Sequence, residues 1–510
     1  MSLSNLDKNN SVSLPADFDY TLPKSLGENV SLREFRVQPT TGTTYTLGNT
    51  VAYPNVAIMY LPCQQNSYLD PHTTYLRGKF TLSYTNSAYT QYDYTRIIGS
   101  FYSLILKQEV VINGQILESI NELGVLANLL INCNLNDADK KGNPMFGFAN
   151  TITDATTPYS ASGNLGQIIA RQTLATTATS PFTPTNTTSA TYTGQCEGVT
   201  IDFALPIIGM LGANSNKAFP LWACSECRYE ITFDVLNNFL AMFATAGTYS
   251  SISYSASITD LEFVGNIITL SESHQRMLQS ISPVINFKSN TFKQCSNYLT
   301  NQATGTNELQ VSLKYSSVKS IFATCSIPQG STLSCFEGKY GSINPNLDLL
   351  QITAGTMVYP PRGINVSARP SDAFACLQKS FNALNMSNYN SCIAKTGYYI
   401  SSTAYGLCTA YVARNTSSTG ALNLPSAPVA VPLNPVLYAN QCYFGIDLET
   451  CTQSSRGNLI NGSNFLSIQP LMRCVVGSAL ANANHVINMY GLIDIILQFD
   501  TMNRTVQAII

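Results

Sequence analysis

Three histidines, 14 cysteines and a scatter of carboxylates are the material this 510-residue chain offers for chemistry. His72, His274 and His485 lie far apart, and none opens the H-E-x-x-H or H-x-H spacing that sets two imidazoles on one metal. Cys224 and Cys227 have C-x-x-C spacing, but a structural zinc site needs four ligands and the chain has no second such pair. The remaining cysteines, from Cys63 to Cys474, are irregularly spaced and read as buried free thiols that pack as small hydrophobes. Ser316-Ser317-Val318-Lys319 has the S-x-x-K spacing of some acyl enzymes, yet it lies in an apparent strand running on to Ile321 and Phe322, where those enzymes need a helix. The glycine-rich phosphate loops and the G-x-S-x-G nucleophile elbow are missing, and Gly338-Lys339 reads only as a turn. Asp202, Glu230, Asp234, Glu262, Asp447, Glu449 and Asp494 are of the type that pairs across a glycosidic bond, but sequence spacing places no two of them together. They read as strand residues facing solvent or as buried ion-pair partners. The expectation is a protein that is not an enzyme, with no catalytic residues, no cofactor and no metal.

Composition narrows the class further. The 27 Lys+Arg and 29 Asp+Glu leave a net charge of −2, and charged residues are 11% of the chain, under half the roughly 25% of an ordinary soluble protein. Hydrophobic content is an ordinary 45%, so Asn, Ser, Thr and Tyr stand where charge is usual. The densest basic spot is Lys140-Lys141, too little to gather a phosphate backbone, so no direct nucleic-acid binding is expected. Met1 to Ser13 is polar and lacks the apolar core of a secretory signal, which predicts a cytosolic product; the Asn-x-Ser/Thr triplets at Asn186, Asn365 and Asn415 then carry no glycan. The longest apolar stretch, Phe203 to Ala213, is interrupted by Pro206 and falls short of the roughly 20 residues a membrane span needs. With 28 Tyr, 22 Phe and the single Trp222, a low-charge, aromatic-rich surface suits extensive dry contact between subunits.

The elements that would hold such a surface are strands. Tyr229, Ile231, Phe233 and Val235 alternate with Arg228, Glu230, Thr232 and Asp234, the period of a strand with one buried face. Leu309, Val311, Leu313 and Tyr315 repeat it, as does the run from Ile487 to Phe499, in which Gly491 marks a bulge or a close approach. Asn113-Gly114 between two apolar runs is a hairpin signal, because both turn positions need positive φ. Helices are few. Ser119 and Glu122 have capping-box spacing ahead of a stripe of Ile120, Leu123, Ala127 and Leu130. Ser371 to Leu384 places Phe374, Leu377, Phe381 and Leu384 on one side, after Pro370.

One such helix falls in each half, and the length exceeds the roughly 250 to 300 residues at which a single core stops growing. The pattern predicts two antiparallel sandwiches of jelly-roll type in tandem, an all-β chain with a few inserted helices. Residues 1–31 read as an N-terminal arm, 32–270 as the first domain, 271–282 as a linker and 283–510 as the second domain. Thr173 to Thr193 and Asn415 to Pro435, both free of charge and the first rich in Thr and Ser, read as long exposed loops.

Four stretches carry a resemblance. IDFALPIIGMLGANSNKAFPLW, ending at Trp222, is followed by CRYEITFDV and SITDLEFVGNIITLS. LKYSSVKSIFATCS runs from Leu313 to Ser326, MVYPPRGINV leads into the helix at Ser371, and FGIDLETCTQSSRGNLINGSNFLSIQP spans Phe444 to Pro470. In order and kind they resemble the major capsid proteins of the polinton-like virus and virophage group, over roughly residues 200 to 500. The resemblance implies a double jelly roll of two eight-stranded sandwiches. It also implies a homotrimer forming a pseudo-hexameric capsomer, which tiles an icosahedral virion around a DNA genome with neighbouring capsomers, penton proteins and minor or cement proteins. The arm would then run beneath the shell, and the two polar loops would form the outer tower of the trimer. A carbohydrate-binding or glycan-processing β-sandwich is the alternative, since jelly rolls host those functions too.

Overall fold

The computed structural model describes residues 30–48, 55–89, 94–136, 165–171, 192–212, 217–243, 252–281, 283–299, 305–326, 338–342, 347–381, 391–393, 398, 441–449, 460–476 and 485–509. The two polar loops, residues 1–29 of the arm and Lys140-Lys141 lie outside these residues, apart from Tyr192-Thr193, which open a strand.

Sixteen of the described strands make two sandwiches of one plan. The first comprises β1 (Val30–Val37), β2 (Val56–Tyr60), β3 (Ser67–Tyr89), β4 (Ile105–Ile112), β5 (Gln115–Asn121), β6 (Tyr192–Pro206), β7 (Cys227–Phe233) and β8 (Ile252–Leu270). Its sheets run β1-β8-β3-β6 and β2-β7-β4-β5. The second comprises β9 (Val284–Leu299), β10 (Gly305–Gln310), β11 (Val318–Ser326), β12 (Leu347–Ala354), β13 (Met357–Ile364), β14 (Phe444–Asp447), β15 (Leu471–Val476) and β16 (His485–Asp500). Its sheets run β9-β16-β11-β14 and β10-β15-β12-β13, so each strand matches the one eight places earlier. This order, in which the first and last strands are neighbours and successive strands change sheet except at the central hairpins β4-β5 and β12-β13, is the jelly roll. Thr44–Leu47 adds to β8 and Thr505–Ile509 to β16, while Tyr94–Ile98, Leu165–Arg171 and Leu240–Phe243 form a small separate sheet.

Three helices matter to the argument: α1 (Leu123–Asn134) after β5, α2 (Glu272–Ile281) between the sandwiches, and α3 (Pro370–Ser380) after β13. Thus α1 and α3 occupy the same place in the two plans.

Local chemistry accounts for these elements. In β7 the residues Cys227, Tyr229, Ile231 and Phe233 are buried while Arg228, Glu230 and Thr232 are half-buried. Tyr229 meets Phe263 of β8 at 5.2 Å between ring centroids and Phe233 meets Tyr45 at 5.0 Å, so the inward face of one sheet packs on the other. Asn113 (φ 51°) and Gly114 (φ 79°) turn β4 into β5 in the left-handed region that the hairpin requires. β16 lies between β9 and β11 and is buried along most of its length on both faces, which is why it reads as almost continuously apolar. At Gly491 its register with β9 is unbroken, and a Cβ would lie 2.5 Å from a Leu313 methyl; the glycine serves close approach, not a bulge.

Several boundaries depart from the sequence reading. Ser119 belongs to β5, because the hairpin ladder with β4 carries the strand through Asn121. Glu122 caps α1 in a left-handed conformation (φ 50°) with no side-chain capping bond, so the Ser119/Glu122 box does not form. The strand predicted through Tyr315 stops at Gln310; Val311 and Leu313 stay buried, but Leu313 N–H donates to the Val311 carbonyl in a turn. The second helix ends at Ser380 with Phe381 as its cap, and Leu384 lies outside the described residues.

Candidate assembly interface

The residues with chemical potential are used for structure. Lys319 (Nζ–Oδ1 3.3 Å) and Lys288 (3.5 Å) converge on the buried carboxylate of Asp494, and Ser317 donates to its other oxygen at 2.7 Å. The S-x-x-K stretch is thus part of a closed ion cluster inside the second sandwich. Glu230 pairs with Arg228 (3.3 Å), Glu262 with Arg77 (3.6 Å), and Asp447 accepts from the Glu449 amide (3.0 Å); Asp202 is exposed. Burial raises the Cys224 and Cys227 thiols far above their ordinary range and pushes Cys63 beside them up to about 11, which keeps all three protonated. His485 is buried, while His274 shares a hydrogen bond of 2.7 Å with Ser271. Among the described residues no three His, Cys, Asp or Glu side chains converge as a metal site, and no helix is long and apolar enough to cross a membrane.

The polar side chains that do converge lie between the two sandwiches. The first presents β5, α1 and the residues beside them; the second presents β9, β16 and the turn Gly338–Tyr340, which joins β11 to β12. Lys339 Nζ reaches Glu122 Oε2 at 2.7 Å and also bonds the buried Asp234 carboxylate. The Gly338-Lys339 turn therefore supplies the cation that ties the halves together, a role its sequence does not announce. Tyr340 donates its hydroxyl to the Ser103 carbonyl (3.0 Å), and Asn128 of α1 donates to the Tyr340 carbonyl (3.0 Å). Asn132 donates to the Tyr443 hydroxyl (2.9 Å), and Tyr490 of β16 to the Glu122 carbonyl (3.2 Å). Asn113 at the hairpin tip donates to the Arg504 carbonyl at 2.7 Å.

Apolar packing closes the same contact. The Phe219 ring lies edge-on to Phe287 (5.1 Å) and Phe499 (5.6 Å) of the second sandwich, pairs each contributing about 0.5–1.5 kcal/mol beyond area burial. A Cβ on Gly124 would come within 2.9 Å of the Tyr340 ring and 2.7 Å of the Ser103 Cα, so only glycine lets α1 approach.

This contact joins unlike faces of like units. The first sandwich uses its fifth strand and following helix; the second uses its first strand and its third-to-fourth turn. Each sandwich also carries the other face, and in the single chain those counterparts are open. On β1 the residues Ser31, Leu32, Arg33, Glu34 and Arg36 are exposed, Leu32 by 65%. On β13 Met357, Pro361 and Arg362 are exposed, Met357 by 42%.

No protein-family model and no curated protein sequence matches the chain. Solved structures do. The Faustovirus major capsid protein is 8% identical with a TM-score of 0.55, over 97% of this chain and 94% of that one. The mavirus major capsid protein is 11% identical with a TM-score of 0.51, over 98% and 95%. A chain of the Sputnik virophage particle is 10% identical with a TM-score of 0.51, over 98% and 93%. The likeness spans both sandwiches and establishes the fold as a double jelly roll.

Proposed function

We infer that this chain is a major capsid protein of the virophage and polinton-like type, located in the virion, whose three copies close into a ring of six sandwiches. The observation that carries this reading is the head-to-tail contact between the two halves. A contact between unlike faces does not satisfy itself; repeated by a fixed rotation it closes a ring, and otherwise it builds a filament. One such contact is made inside the chain, and β1 of one copy facing β13 and α3 of the next would make another. Three chains bring six sandwiches to a pseudo-hexagonal block. Such blocks tile an icosahedral shell around DNA, with neighbouring capsomers, pentons and cement proteins as partners.

Low charge fits the same reading, because wide contacts desolvate side chains and an unpaired buried charge is costly. Support for the fold-based part comes from the Faustovirus and mavirus capsid proteins. The division into arm 1–31, first domain 32–270, linker 271–282 and second domain 283–510 belongs to this proposal, as do the arm beneath the shell and the two polar loops in an outer tower. Negative-stain electron microscopy of the purified protein tests it. Particles with a hexagonal outline and three-fold symmetry are expected; a field of separate two-lobed monomers would contradict it.

A further inference from the structure

Glu118 is a carboxyl group sealed between the sandwiches, fully buried on β5, and it makes no ion pair among the described residues. Its bonds come from both sandwiches. The Met210 amide donates to Oε1 at 3.0 Å and Thr291 of β9 donates its hydroxyl to the same oxygen, while Gln108 of β4 lies beside it with its amide donating to the Ile208 carbonyl at 2.5 Å. Gly209, at φ 112°, lies against the carboxyl so closely that a Cβ there would sit 2.4 Å from Oε2. The chain thus builds a close-fitting seat for one carboxyl, to which Thr291, 173 positions away, brings a bond from the second sandwich.

We propose that Glu118 is a proton-operated clasp between the two jelly rolls: as a neutral acid it closes the contact of β5 with β9, and loss of its proton loosens that contact. The charged groups around it offset the cost of burying the anion only in part. Lys293 of β9 faces it, but that ammonium also faces Glu109 of β4 and is itself held down by burial. Glu109 is in turn paired with Lys107 at 2.7 Å. Tyr229 of β7, the remaining titratable neighbour, is buried and held neutral far above its ordinary range. Desolvation, outweighing the bonds from Thr291 and Met210, raises the Glu118 carboxyl from 4.5 to about 7.

The sign follows from linkage. A carboxyl whose folded value is raised gives stability that is complete below its unfolded value and lost as pH rises through the folded one. The window here is pH 4.5 to about 7. Acid tightens the two halves, and neutral to alkaline conditions load a charge into their seam.

Thermal melting and hydrogen exchange of the full chain between pH 5 and pH 8, for the native protein and Glu118→Gln, test the clasp. The amide keeps the acceptor but cannot ionise. The native protein should lose about 2–3 °C of melting temperature across this range relative to the variant. Exchange in peptides covering 115–121 and 289–294 should accelerate at high pH, beyond the intrinsic rate, in the native protein alone. Identical pH profiles for the two proteins would overturn the proposal. Thr291→Val gives an independent test: loss of a bond that favours the anion must move the midpoint to higher pH, and an unmoved midpoint would also overturn it. Both readouts concern the contact inside one chain. Light scattering on the same samples reports copy number, so dissociation of copies is read separately from opening of the clasp.

Discussion

α1 and α3 occupy the same place in two sandwiches of the same plan, yet ten of the twelve residues of α1 are buried and only four of the eleven of α3. The strands before them differ in the same sense. Leu117, Glu118 and Ile120 of β5 are buried, whereas in β13 only Ile364 is. What separates the two is a neighbour. The second sandwich covers α1 and β5, whereas among the described residues α3 packs only on its own sandwich. Composition records the difference: α1 carries no charged residue and its buried Asn128 and Asn132 are hydrogen-bonded, while α3 keeps Ser371, Asp372 and Lys379 exposed.

The comparison can be broken most sharply at the ion pairs beside each helix. Lys339→Met leaves Glu122 and the buried Asp234 without their cation and should cost about 3 kcal/mol in chemical denaturation. Arg369→Met at the start of α3 removes an exposed pair at 4.0 Å and should cost less than about 0.5 kcal/mol. Equal losses would mean that the seam is no more demanding than the surface.

A second contrast rests on shape. Gly124→Leu drives a side chain into Tyr340 and Ser103 and should cost about 2 kcal/mol, whereas Ser371→Leu, at the matching exposed position of α3, should stay within about 0.5 kcal/mol. The smallest effect is the most informative for assembly. Leu32→Glu and Met357→Glu, on the open counterparts of the seam, should leave denaturation midpoints unchanged but weaken association of copies at least about tenfold, about 1.4 kcal/mol. Unchanged association in both would place the contact between copies elsewhere.

Much of the architecture was legible because it is local. The alternation of Tyr229, Ile231 and Phe233, the Asn113-Gly114 turn and the apolar run ending at Phe499 each report a strand or hairpin through near neighbours. Two local signals misled. Ser119 and Glu122 have capping-box spacing, but the ladder from the preceding hairpin claims Ser119 first and Lys339 claims the Glu122 carboxylate. The alternation from Leu309 to Tyr315 continues past the end of its ladder, because Val311 and Leu313 are buried as a turn.

The seam itself was not legible. Lys339 finds its carboxylates 217 and 105 positions away, and Thr291 meets Glu118 across 173. A lone Glu in the run Ile116 to Ile120 and a Lys in a turn carry no mark of burial until the second sandwich is in place. The plan of each half is written in its periodicity; the contact between them arises only from folding both.

The most direct test of the head-to-tail account is the mass of the purified chain by size-exclusion chromatography with light scattering. The monomer is 55.4 kDa, and the open faces predict a closed trimer of about 166 kDa. A well-folded species that stays at 55.4 kDa at every concentration would contradict the account.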